Sequence, residues 1–418
     1  MNFKLLYGHS ILGDGTPACM IPLLTGRLEN ELPSTLKSDP NGTFVDQAYP
    51  FLFNELKANN YYSFHMEDWP QVSAFTYRLR GMSNNTAHHY MRAYQTSLWS
   101  KVSSAYFSNR DDFCIGSVKR HKKALNLLTE FIQTYSNTTQ YHIGIMHYIE
   151  NSHDSNDRGW QIDNDLLQFL MDNFKENNFQ NTAILLYSDH GQRFSAERLS
   201  QQGYLEERMP FVSIYLPDQY RKENPVKFNN LIKNSQQLTT ALDIYQTLRE
   251  LTCLSPLKND NNELRSISLL DSIPFNRTCK DIGLSLHFCI CELDWGSLDV
   301  NDAISQQAIQ FVIQYMNSVI VKPINDLCEY LQLDRLITVQ TVKIESSNFF
   351  KLNFITLPNY ANYEAMLKLD KYEKFAIESP DFISRTNTYG NQPKCLENTP
   401  KRHSFFIDMR KFCLCKIK

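Results

Sequence analysis

Thr182-Ala183-Ile184-Leu185-Leu186-Tyr187-Ser188-Asp189-His190-Gly191 is an apolar run that ends by presenting an acid and an imidazole side by side. A short apolar run closed by a polar turn reads as a buried strand. In an open parallel sheet, ligands bind beyond the carboxyl ends of the strands. Asp189 and His190 fall at such an end, and an adjacent carboxylate and imidazole suit a divalent metal ion.

Working outward, Tyr141 to Ile149 reads as a second strand, and His153 follows its end in Ser152-His153-Asp154. Pro210 to Pro217 reads as a third. Helical spacing is expected over Ala124–Ile132, Leu166–Phe174 and Leu238–Leu251. Strands alternating with helices predict an α/β fold with a mainly parallel sheet covered on both faces. After Asn259-Asp260-Asn261-Asn262 the texture changes and cysteines and aromatics become denser. This divides the chain into a core, 1–255, and a smaller Cys-rich α+β subdomain, 256–418, with an amphipathic helix from Ala303 to Ile320 stopped near Lys322-Pro323.

The 418 residues are 42% hydrophobic with a formal charge of −3. That is enough apolar material for a large core, and it gives no electrostatic footprint for nucleic acid. No apolar run reaches the ~18–20 residues a membrane span needs. Eight of the ten cysteines lie beyond residue 250, namely Cys253, Cys279, Cys289, Cys291, Cys328, Cys395, Cys413 and Cys415. They read as a disulfide framework and so predict an oxidising compartment. Sequons at Asn41, Asn84, Asn137 and Asn276 point the same way, to the secretory pathway or extracellular space. Buried thiols in a cytosolic scaffold protein are the competing reading.

Far upstream, Gly13-Asp14-Gly15-Thr16-Pro17 precedes the apolar stretch Ile21-Pro22-Leu23-Leu24-Thr25-Gly26. Thr16 before Pro17 is the pattern of an N-cap with proline opening the helix. A hydroxyl there sits in the positive end of the helix dipole, where an alkoxide and an anionic substrate are both favoured. Arg193 is a candidate clamp for an anionic group, since its planar fork matches phosphate oxygens.

These residues resemble the nucleophile helix and the later metal motif of the alkaline phosphatase and sulfatase superfamily. More narrowly, the chain is similar to the metazoan family DUF229. The resemblance runs through Gly13-Asp14-Gly15-Thr16, Glu67-Asp68-Trp69-Pro70, Ser152-His153-Asp154, Asp189-His190-Gly191-Gln192-Arg193-Phe194, Leu205-Glu206-Glu207-Arg208-Met209-Pro210-Phe211 and Cys289-Ile290-Cys291. It implies an alkaline-phosphatase-like fold, with Thr16 as nucleophile and metal ligand and with Asp189 and His190 as metal ligands. It places His153 on the transferred group or leaving oxygen, and it implies Zn or Mn as the metal. It implies an ester substrate carrying an anionic group on a small molecule, lipid headgroup or glycan. Threonine stands where sulfatases carry the cysteine that becomes formylglycine. This favours phosphate-ester hydrolysis or phospho-group transfer over sulfatase chemistry.

The resemblance also implies an acidic ligand at the end of a strand before the nucleophile. Residues 1–15 hold none, because Asp14 belongs to the turn next to Thr16. The expectation is therefore a chain truncated at its N-terminus that lacks the first strand, or a degenerate member acting as a secreted binding protein.

Overall fold

Helix α1 (Thr16–Thr25) follows a short strand, β1 (Lys4–Leu5), and is buried from Cys19 to Thr25. Gly15 at φ 80° and Gly26 at φ 65° bracket the helix, both in backbone space that favours glycine. At Gly26 a Cβ would lie 2.4 Å from the Tyr245 ring, so the residue also permits close packing. Gly15 takes the N-cap position and Thr16 begins the helix without capping it, which leaves the threonine hydroxyl available.

In this computed structural model the described residues are all but 1, 38, 106–113, 137, 258–264, 292, 325, 397–408 and 417–418. Beyond α1, the elements that position the site are β2 (Tyr62–Glu67), β3 (His89–Tyr90), α2 (Arg120–Ser136), β4 (His142–His147), α3 (Trp160–Lys175), β5 (Ile184–Tyr187), α4 (Gln201–Arg208), β6 (Val212–Tyr215) and α5 (Ala241–Leu251). The helices and strands expected around residues 124–132, 141–149, 166–174, 182–187, 210–217 and 238–251 all form.

The strands make two three-stranded sheets. In the order β3-β2-β4 the pairing is parallel, with Tyr62 opposite His142 and Glu67 opposite His147. In the order β1-β6-β5 it is antiparallel, β6 running back along β5. The two sheets share apolar cores on both faces. On one face Ile143, Ile145, Leu185 and Tyr187 pack with Met20, Leu23 and Leu24 of α1 and Ile244 of α5. On the other, Met146, Ile184 and Leu186 pack with Phe131 and Ile132 of α2 and Leu170 of α3.

The C-terminal part is a separate antiparallel sheet. It contains β7 (Gly296–Leu298), β8 (Gln332–Ile344), β9 (Ser347–Leu357), β10 (Ala361–Leu369), β11 (Phe375–Ala376) and β12 (Ile383–Arg385). The order is β11-β10-β9-β8-β7, with β12 pairing β10. Helix α6 (Ala303–Tyr315) packs on it through Ala308, Ile309 and Val312 and continues as a π-helical turn to Val321. The cysteines form three bonds, Cys279–Cys289, Cys328–Cys413 and Cys395–Cys415. Cys253 and Cys291 stay outside these bonds and are exposed, so six of the eight expected framework cysteines are paired. Asn41, Asn84 and Asn276 are exposed, and Asn137 lies outside the described residues. No helix among the described residues is long and apolar enough to cross a membrane.

A buried ion network joins the two parts. Arg208, at the end of α4, bonds Glu207 and Glu364 of β10, each at 2.6 Å. Arg198 reaches Glu207 at 3.1 Å, and His287 bonds Ser384 at 2.7 Å. Burial pushes the His287 imidazole down to about 3, so it is neutral there.

Candidate active site

Four elements converge on one cavity. The turn 13–15 and the start of α1 bring Thr16, the end of β4 brings His147, and the end of β5 brings Asp189 and His190. The Thr16 side chain neighbours the Asp189 carboxylate and favours its charged form. His190 Nε2 stands 3.5 Å from Asp189 Oδ2, while its Nδ1 lies 2.7 Å from the Gly191 carbonyl oxygen. The contact of Nδ1 with that carbonyl leaves Nε2 turned toward the Asp189 side. Burial would raise the Asp189 carboxyl, but His190, His147 and the Thr16 hydroxyl together hold it below its ordinary value.

The loop carrying Asp189 and His190 is pinned from behind. Gly191 donates its N–H to the Glu207 carbonyl at 3.0 Å, and a Cβ at Gly191 would lie 2.3 Å from the Glu206 carbonyl oxygen. Only glycine allows the loop to lie this close to α4. Glu207 and Arg208 of the same motif are fully buried and belong to the ion network.

His147 is not singled out by the sequence, and Glu67 stands there only as part of the motif Glu67-Asp68-Trp69-Pro70. Glu67 Oε1 accepts from the Ala74 N–H at 2.7 Å and lies 3.4 Å from His147 Nδ1. Burial opposes a charge on His147, but Glu67 and Asp189 outweigh it and raise its proton affinity. Glu67 thus contacts His147, and the His147 charge in turn acts on Asp189. A signal was present, since His147 closes its strand much as Asp189 follows the end of β5. Asp68, next to Glu67, takes a structural role: it accepts the N–H groups of Ile149 and Glu150 at 2.7 and 3.2 Å and holds the loop after β4.

Arg193 enters from the loop after His190. Its Nη1 would lie 3.0 Å from a Cβ at Gly15, so the guanidinium rests against the turn before Thr16. Its Nη2 donates to the Tyr389 hydroxyl at 3.3 Å. Burial alone would raise the Asp14 carboxyl, but the charges of Arg193 and Lys411 bring it down to about 2. His153 sits on the rim, with its side chain 44% exposed and bonded to Asp154 at 2.7 Å. The Gln192 side chain donates to the His153 carbonyl at 3.2 Å and ties the two loops together. Thus Thr16, Asp189, His190 and Arg193 are gathered around the turn, and His153 lies at the cavity edge.

The donor set that comes together is one carboxylate, one imidazole with its second nitrogen engaged, and one hydroxyl. These groups fit a divalent cation with two strong protein ligands plus Thr16. Two sulfur clusters also approach ligand spacing, Cys279 with Cys289 and Cys291, and Cys328 with Cys395 and Cys413. The disulfides consume them, since a bonded sulfur is no longer a thiolate ligand.

An α/β scaffold with an acid and an imidazole at a strand end and a hydroxyl at a helix start is the class of protein these elements define. The family described as "Protein of unknown function (DUF229)" matches residues 1–337, and the chain belongs to it. No curated protein matches the sequence. Among solved structures, "Ps i-CgsB in complex with k-i-k-neocarrahexaose" aligns with a TM-score of 0.40 and 11% identity, over 83% of this chain and 77% of that one.

Proposed function

We propose that the chain is a metal-dependent hydrolase or transferase acting on an anionic ester, with Thr16 as nucleophile. The observation that carries this reading is the placement of the Thr16 hydroxyl at the opening of α1, next to Asp189 and His190. A helix N-terminus favours both the alkoxide and the anion it attacks. Asp189, His190 Nε2 and the Thr16 oxygen would hold the cation, with Zn or Mn suiting the mixed oxygen and nitrogen donors. When bound, the metal would lower the hydroxyl pKa and polarise an ester oxygen.

The chain's own residues do the rest. Asp189, beside the Thr16 hydroxyl, would accept its proton and orient it. Arg193, anchored on Tyr389, offers its remaining N–H groups to the anionic end of the substrate. His147, held by Glu67, fixes the Asp189 carboxylate. His153 on the rim is the candidate to contact the leaving oxygen. A threonine at this position favours a phosphate ester over a sulfate. Disulfides in the C-terminal part and exposed sequons support a place in the secretory pathway or extracellular space, and a glycosidase-induced mass shift on secreted protein checks that.

The test is hydrolysis of p-nitrophenyl phosphate, bis-p-nitrophenyl phosphate and p-nitrophenyl sulfate with added Zn or Mn. Thr16→Ala should lower kcat/KM on the order of 10³-fold or more, as loss of a nucleophile does. Thr16→Ser should retain measurable turnover. Activity unchanged in Thr16→Ala would overturn the mechanism, and inactivity with tight retention of an anionic glycan would favour a binding protein.

A further inference from the structure

The motif Cys289-Ile290-Cys291 plays no part in the chemistry proposed at Thr16, and its surroundings give it chemistry of its own. Cys289 is bonded to Cys279, while Cys291, two residues on, is an exposed free thiol. The Cys291 sulfur lies 3.4 Å from that of Cys279, and the three sulfurs are all within 4.8 Å of one another. A thiol in contact with a disulfide is the arrangement that exchange requires, because the attacking sulfur must reach one sulfur of the bond. Closeness of sulfurs alone is not enough. In the C-terminal cluster Cys395 stands 3.8 Å from Cys413, but there Cys328, Cys395, Cys413 and Cys415 are all bonded and none is left to attack.

The loop suits a bond that moves. Between Cys279 and Cys291 the chain forms only turns and irregular backbone, with no helix or strand to hold it in register. Bonding Cys279 to Cys289 spans a separation of 10 residues, and bonding it to Cys291 would span 12. Loop-closure entropy varies with the logarithm of length, so it hardly separates the two pairings. Packing is what distinguishes them. With the bond at Cys289, Phe288 is buried in one cluster with Ile11 and Cys19, and Cys19 lies one turn beyond Thr16 on α1. The Phe288 carbonyl accepts from Ser10 Oγ at 3.5 Å, and the His287 carbonyl accepts from Arg208 Nε at 3.4 Å. Residues 287–289 are thus clamped among the segment before α1, the end of α4 and, through Ser384, β12.

We propose that Cys279, Cys289 and Cys291 form a thiol–disulfide exchange site, in which the bond to Cys279 passes between Cys289 and Cys291. Cys291 gives its proton to water, and the thiolate sulfur attacks Cys279 Sγ. The Cys291–Cys279 bond forms as the Cys279–Cys289 bond breaks. The electron pair leaves on the Cys289 sulfur, which takes up a proton. One disulfide and one thiol stand on each side, so the step needs no oxidant or reductant. Moving the bond by two residues draws Cys291 inward and releases Cys289, and with it the hold on Phe288, which also lines the cavity that Thr16 lines. The bond position therefore sets how firmly α1 is backed. An effect on catalysis, unlike the exchange itself, rests on the reading of Thr16 as nucleophile.

The test is a brief pulse of N-ethylmaleimide on the folded, unreduced protein at pH 8, then acid quench, pepsin digestion and fragment mass spectrometry. Cys253, also exposed, takes the label in either form and serves as the internal standard. Maleimide should fall on Cys291 in most chains and on Cys289 in about a tenth of them or more, as nearly equal loop entropies imply. In Cys289→Ser, Cys279 should bond Cys291 and both should escape the reagent. Amide exchange over 16–25 should then be about threefold or more faster than in Cys291→Ser, whose bond stays at Cys289. Label on Cys291 without any on Cys289 in the wild type would overturn the proposal, as would labelled Cys279 and Cys291 in folded Cys289→Ser protein. Equal amide exchange in the two variants would overturn the link to α1. Label on Cys328, Cys395, Cys413 or Cys415 would show general scrambling in place of a site. If Cys289→Ser does not fold, the wild-type map decides. None of these readouts uses turnover, so their failure is distinct from failure of the Thr16 mechanism.

Discussion

Glu364 is a carboxylate placed where water does not reach, between Arg208, Arg198 and His287. Burial alone would raise its pKa, but Arg208 and Arg198 bring it from 4.5 down to about 2. A depressed carboxyl contributes stability that is complete above its unfolded value, near 4.5, and is lost as pH falls through about 2. Glu364→Gln should therefore cost about 3–5 kcal/mol at pH 7, because it leaves the two buried guanidinium groups of Arg208 and Arg198 sharing the single carboxylate of Glu207. The difference from wild type should shrink between pH 4.5 and 2, as followed by urea denaturation across that range. A pH-independent difference would show that packing, not charge, is lost. At the same scale, Glu67→Gln should weaken the hold on His147 and lower kcat more than it changes KM in the esterase assay. Thr16, Asp189 and His190 were legible because strand ends and helix starts are where such chemistry collects. His147 was hidden inside a strand pattern, where an imidazole looks like an ordinary residue of an edge, and the motif containing Glu67 did not reveal its partner.

At the scale of elements, the loop after β5 depends on its contact with α4. Gly191→Ala would drive a methyl group into the Glu206 carbonyl, 2.3 Å away, and the backbone cannot yield cheaply there. The expected cost is about 1–3 kcal/mol, with displacement of His190. Thermal melting together with loss of metal-stimulated activity would report it, and unchanged values of both would contradict the close approach. Helix α5 begins with a capping box in which Thr240 and Asp243 exchange hydrogen bonds, so Thr240→Ala should cost about 1 kcal/mol in the same melts. The helices and strands were readable from periodicity because each carries a long apolar face. The pairing was harder to read. Nothing in Pro210 to Pro217 distinguishes a strand that continues a parallel order from one that turns back along its predecessor, and β6 does the latter.

For the whole molecule, the bonds Cys328–Cys413 and Cys395–Cys415 close loops of 85 and 20 residues around the C-terminal sheet. Loop-closure entropy predicts about 4–5 kcal/mol for the longer one. Reduction with dithiothreitol should lower the melting temperature of the C-terminal part first, while exchange protection in α1 and α5 persists longer. Loss of both together would show that the ion network around Arg208 makes them a single cooperative unit. The cysteine-rich texture announced a stapled region in the sequence, but pairing depends on which Cα atoms the fold brings together, and no spacing encodes that.

The contact between Arg193 and Tyr389 has a consequence for biosynthesis. Tyr389, Arg410 and Lys411 line part of the cavity, yet they are translated long after Thr16 and Asp189. A nascent chain can thus have every reactive group of the site in place while part of its wall is still unbuilt. Newly made protein should acquire selectivity for its ligand later than it acquires the means to react.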